Sequence, residues 1–105
     1  MEVLNIDYVP GREIDKNLGI VKGQIVQSRH IGRDIMAELK NIVGGEIVSY
    51  TKMIDMAREK ATERMIAEGE KLKADAIINV RYGTSAVTQG ASEIFVYGTA
   101  VTLKK

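Results

Sequence analysis

The sequence contains no cysteine and no tryptophan, and only one histidine, one proline and one phenylalanine. Without cysteine there is no disulfide scaffold, no thiolate zinc site and no cysteine nucleophile. A Ser-His-Asp system would have to use His30, the only imidazole in the chain. Excess charge of one sign is also missing. Fifteen Lys and Arg stand against 14 Asp and Glu, a net charge of +1. No field therefore selects nucleic acid or an anionic membrane, and neither is expected as a partner. No apolar run approaches the ~18 residues of a membrane span. The first residues, Met1-Glu2-Val3-Leu4-Asn5, lack the basic and apolar regions of a secretion signal. A soluble cytoplasmic protein is the expectation.

What is present is an ordinary globular mixture. The 105 residues are 45% hydrophobic and 28% charged. Thirteen Ile and ten Val carry most of the apolar bulk. The length predicts one domain over residues 1–105. A core of this size is modest, because small domains bury a smaller fraction of their surface.

The hydrophobic pattern orders the chain. Residues 3–9 read as a short strand or extended arm that ends at the turn signal Val9-Pro10-Gly11. Residues 19–27 are β-branched and predict a strand, in which Gly23 suggests a bulge or a close backbone approach. Ile31, Ile35, Leu39 and Ile42 recur at helical spacing, which predicts a short helix over 32–43, ended by Gly44-Gly45. The strongest helix signal covers 50–73, with Ser49 as N-cap. Its inner stripe, Ile54, Ala57, Ala61, Met65, Gly69 and Leu72, is built largely from small residues and suits close packing on a sheet. Strands are predicted over 76–82 and 93–103, joined by a small, polar, mobile loop at 83–92. In the first of these, strict alternation groups Ile78, Val80 and Tyr82 on one face. The sum is a two-layer α+β unit: an antiparallel sheet with one long helix packed on it, plus a short helix.

One face of that unit lacks a cover. The last strand presents Ile94, Val96, Gly98 and Ala100 on one side and Phe95, Tyr97, Val101 and Leu103 on the other. A single long helix covers only one side. Residues 32–43 could cover the other side, or a second subunit could. An apolar sheet face left over in a soluble chain usually marks an interface, so self-association through Phe95, Tyr97, Val101 and Leu103 is the favoured expectation.

Few residues suggest chemistry. His30, with Arg29, Arg33 and Asp34, reads either as a general base or anion cluster or as the polar start of the short helix, where Asp34 suits the helix dipole. Met53 and Met56 could bind a soft metal but read better as packing residues. Glu59 and Glu63, four apart, could hold a hard cation or form part of a solvated charged face beside Arg58, Lys60 and Arg64.

Several pieces in order resemble a known family. They are Arg33-Asp34, Ile42-Val43-Gly44-Gly45, Tyr50, Ala57-Arg58-Glu59, Ala74-Asp75-Ala76 and Gly98-Thr99-Ala100-Val101. Over about residues 19–105 the chain resembles the YbjQ-like family, labelled a heavy-metal-binding domain. That family's Leu-Gly-Ala-Asp-Ala reads Leu72-Lys73-Ala74-Asp75-Ala76 here, so the long helix must stop without the glycine. The resemblance implies a β-α-β-β unit like the dodecin subunit, assembled as a ring-shaped homopentamer in which residues 3–9 pair across subunits. It also points to Arg33, Asp34, Arg58 and Glu59 as buried or interfacial ion pairs that fix subunit register, or alternatively as a ligand site at a subunit junction. Cysteine-based metal or selenium chemistry does not carry over, because the chain has no cysteine.

The functional expectation is a non-enzymatic homo-oligomer, a pentamer, that binds a small ligand and needs no cofactor. His30, Arg33, Asp34, Arg58 and Glu59 are its candidate ligand or inter-subunit residues. The alternatives are a metal-ion binder using carboxylates and His30, and, least favoured, a hydrolase or lyase with a His30/Asp34 site between subunits.

Overall fold

The computed structural model describes residues 1–27, 46–88 and 91–105. The segment expected as the short helix, with His30, Arg33, Asp34 and Gly44-Gly45, lies outside the described residues. The elements are β1 (Glu2–Val3), β2 (Ile14–Gln27), α1 (Glu46–Lys71), β3 (Ala76–Thr88) and β4 (Ala91–Leu103). The four strands form one sheet in the order β1-β3-β4-β2. β3 and β2 both pair antiparallel with β4, while β1 runs parallel to β3. The sheet is therefore mixed rather than purely antiparallel.

The N-terminal arm lies along its own β3. After the short ladder of Glu2–Val3, Leu4 N–H donates to the Ile77 carbonyl, and Val80 and Asn79 N–H donate to Leu4 and Ile6. Its Val9-Pro10-Gly11-Arg12 turn closes with Arg12 N–H on the Val9 carbonyl at 3.0 Å. Gly11 takes a φ of 77°, the left-handed value such a Pro-Gly turn needs. In the single chain the arm thus pairs with its own β3.

α1 begins at Glu46, so Ser49 sits inside the helix and not at its N-cap. Its far end closes as a Schellman motif: Ala74 N–H donates to the Gly69 carbonyl and Lys73 N–H to Glu70. Lys73 supplies the left-handed residue, at a φ of 61°, where glycine would serve without strain.

Two strand expectations change. β2 starts at Ile14, and register shifts at Ile14/Lys16 and Asn17/Gly19 break the alternation that would have revealed it. Residues 83–92 are mostly strand: β3 and β4 pair from Gly83↔Phe95 out to Thr88↔Ala91. Their small, polar composition suggests a loop, but a paired neighbour satisfies the backbone all the same.

The core lies between α1 and the sheet. Ala57, Ala61 and Met65 pack on Val21, Ile25, Ile77, Val80, Ile94, Val96 and Ala100. Gly23 fixes the approach of the helix. A Cβ there would lie 1.9 Å from the Ala61 carbonyl oxygen and 2.6 Å from the Met65 nitrogen, so helix backbone rests directly on strand backbone. The ends of the expected stripe do not share this burial, since Ile54 and Leu72 are exposed.

A second small core lies on the opposite sheet face. Val9, Ala76, Ile78 and Val101 are buried together, with Leu4, Ile14 and Leu103 against them. Within the single chain, Val101 is thus buried against the chain's own N-terminal segment, and Leu103 is partly buried beside it.

Candidate functional site

The packing that seats α1 also opens a cleft. Gly23 draws the helix over β2 and β4, leaving the helix-side surface of β3 thinly covered. A bulge in β3 then decides what faces the gap. Asn79 has a φ of 54°, and the register shifts between Ile78 and Arg81. Asparagine tolerates this left-handed conformation better than most residues. One extra residue swaps the faces, so Ile77 and Val80 join the helix-side core while Ile78 lies on the other side. Strict alternation had grouped Ile78 with Val80 and Tyr82. The bulge separates Ile78 from them and brings Tyr82 beneath the helix.

Arg58, Glu59, Thr62, Glu63, Ile66 and Tyr82 line the resulting open cleft of about 380 Å³. Tyr82 spans it to Thr62, with 3.0 Å between the two hydroxyl oxygens. The Thr62 hydroxyl donates to the Arg58 carbonyl at 2.7 Å, so its single proton is committed and Tyr82 must be the donor to Thr62. The Tyr82 oxygen keeps its capacity to accept a hydrogen bond. Arg58 pairs with Asp55 one helical turn back, and both side chains are about half exposed. Glu59 and Glu63 face the cleft from one side of the helix. The cleft offers two carboxylates, two hydroxyls, one guanidinium and an apolar wall at Ile66. Such a set can orient a small polar molecule.

A metal has less to hold it. Among the described residues no three His, Cys, Asp or Glu converge. Glu59 and Glu63 provide oxygen ligands, which suit hard ions, whereas soft heavy metals favour the thiolates this chain lacks. The described residues do not fit a heavy-metal site.

On the opposite sheet face lies an apolar area that nothing in the described chain covers. Phe95 and Tyr97 stack with ring centroids 6.2 Å apart. Phe95 leans across the sheet onto Gly83, where a Cβ would stand 2.4 Å from the ring. Beside them Ile20 is 77% exposed and Tyr97 43% exposed.

Of the residues expected to form a site, Arg58 and Glu59 sit on the cleft, and Phe95 and Tyr97 on the open face. Thr62, Glu63 and Tyr82 join the cleft without having been expected there as a set. Glu59 and Glu63 were legible as a same-face pair. Tyr82 was not, because its orientation depends on the bulge.

The family model described as "Putative heavy-metal-binding" matches residues 1–104. The chain belongs to the YbjQ-like family. A UPF0145 protein from Hahella chejuensis is 53% identical over 104 residues, covering 99% of this chain and all of that one. UPF0145 proteins from Thermosipho melanesiensis and Methanosarcina acetivorans are 55% and 50% identical, over 98% and 96% of this chain and 95% of each relative. Among solved structures, a DUF74-family protein of unknown function from Pediococcus pentosaceus superposes with a TM-score of 0.65. It is 17% identical and covers 99% of this chain and 98% of that one, which shows a shared fold. Within this YbjQ-like chain, no helix among the described residues is long and apolar enough to cross a membrane.

Proposed function

We propose that the protein acts as a non-enzymatic homo-oligomer, a cytoplasmic ring of five copies, and that the cleft between α1 and β3 binds a small polar ligand. One observation carries the assembly: Ile20, Phe95 and Tyr97 form an apolar surface on the outer sheet face, next to the part that the N-terminal arm already covers. Leaving such a surface in water costs roughly 25 cal/mol per Å² of apolar area, which association recovers. The cysteine-free sequence supports the cytoplasmic setting. The ligand reading rests on the few polar groups, Glu59, Glu63, Thr62 and Tyr82, set in a mainly apolar cleft, and on its place at a junction of elements.

Light scattering at micromolar concentration tests the assembly. A ring of five copies has five times the 11.6 kDa mass of the chain, and a monomeric mass refutes the proposal. Native mass spectrometry of protein from its own source tests the ligand, since a bound small molecule adds a discrete mass to each protomer.

A second reading, metal-ion binding, has one observation behind it: Glu59 and Glu63 share the cleft. His30 would have to complete the ligand set. Failure to retain Zn²⁺, Ni²⁺, Cu²⁺ or the hard ions Mg²⁺, Ca²⁺ and Mn²⁺ at micromolar metal eliminates this reading.

A further inference from the structure

β2 is the last strand of the sheet, so every second residue along it turns its backbone N–H and C=O away from β4. Among the described residues no strand pairs with that outer edge. Exposed edges of this kind are templates for adding another chain, and proteins commonly block them. Here the block comes from the helix. Glu68 accepts the Lys22 N–H at 3.0 Å, and Arg64 donates to the Gln24 carbonyl at 2.7 Å. Lys22 and Gln24 are consecutive outward-facing positions in the middle of a 14-residue strand. Arg64 and Glu68 are one helical turn apart and so emerge on one side of α1. Each charge matches the backbone group it meets: a carboxylate takes the donor, and a guanidinium takes the acceptor. The close seating of the helix on Gly23, between these two positions, brings both side chains within reach of the edge.

We propose that Arg64 and Glu68 form a latch that occupies the β2 edge and prevents a second copy of the chain from adding a strand there. An incoming strand needs the Lys22 N–H and the Gln24 C=O in one ladder, and the latch holds both. The row is interrupted at its centre, so partial pairing from either end cannot pass it. Association is thereby directed away from this edge, whatever number of copies assemble elsewhere.

The test has two parts, on full-length protein. Amide hydrogen exchange reads the latch directly. Lys22 is protected in the native protein although it lies on an edge. Glu68→Ala speeds its exchange about tenfold or more, as loss of a charge-assisted hydrogen bond implies, and leaves Val21 and Ile25 unchanged. Glu68→Gln keeps an acceptor oxygen and retains the protection. Light scattering and thioflavin T fluorescence then read the consequence: the double variant Arg64→Ala/Glu68→Ala forms larger, dye-positive species at concentrations where the native protein forms none. Lys22 exchange as fast in the native protein as in Glu68→Ala overturns the proposal. So does a folded double variant with native size and no dye response. If the double variant loses its circular dichroism signal, the Lys22 exchange of the single variants decides.

Discussion

Lys73 is the residue at which sequence and backbone disagree most. The Schellman closure of α1 needs a left-handed residue at this place, and Lys73 adopts it with a φ of 61°. A non-glycine residue in that conformation carries a penalty of about 1–2 kcal/mol. Glycine removes the penalty but loses about 0.5–1 kcal/mol through the greater freedom of the unfolded chain. Lys73→Gly should therefore stabilise the protein by about 0.5–1 kcal/mol, read as a higher midpoint in chemical denaturation. Asn79 shows the opposite case. Its φ of 54° also lies in the left-handed region, but asparagine tolerates it, and the conformation is used to turn β3.

At the scale of elements, the fold depends on how α1 meets β2. Alanines at 57 and 61 and glycine at 23 let the two backbones touch, and the cleft and the latch both follow from that seating. Gly23→Ala places a methyl group 1.9 Å from the Ala61 carbonyl oxygen, a contact that only movement of the helix can relieve. The expected cost is about 3 kcal/mol or more, seen as a fall of more than about 10 °C in the thermal midpoint. The same variant should loosen the Arg64 and Glu68 contacts, so exchange at Lys22 should rise with it. A midpoint unchanged by Gly23→Ala would mean that the helix rides higher on the sheet than described.

At the scale of the whole molecule, the two sheet faces are unequal. One carries the helix. Among the described residues, the other is closed in part by the arm, while Ile20, Phe95 and Tyr97 are left partly exposed. A charge in the open part should separate the copies and leave the protomer folded. Ile20→Asp, at a position 77% exposed in the single chain, is expected to shift the light-scattering mass to the monomer with an unchanged circular dichroism spectrum. Val101→Asp, buried under the arm, should instead unfold the protein, by burying a charge without a partner. The contrast between the two variants separates an interface from a core.

Much of the architecture was legible because it rests on local periodicity. The middle of the small-residue stripe of α1, Ala57, Ala61 and Met65, and the Ile94, Val96, Ala100 face of β4 have periods that survive folding, and both are buried as that pattern requires. The Pro10-Gly11 turn declared itself through backbone preferences that belong to those two residues alone. The absence of cysteine, likewise, limits the metal chemistry whatever the fold. Tertiary structure decided the rest. The bulge at Asn79 reversed the faces of β3 and put Tyr82 into the cleft, because a register shift arises from two strands together and leaves no period in either one. The cover of Val101 came from the N-terminal arm, a partner distant in sequence that no local pattern announces. Arg64 and Glu68 read as an ordinary charged helix surface until the β2 edge was placed beside them. Sequence determined which faces must be buried, and only the packed molecule determined what buries them.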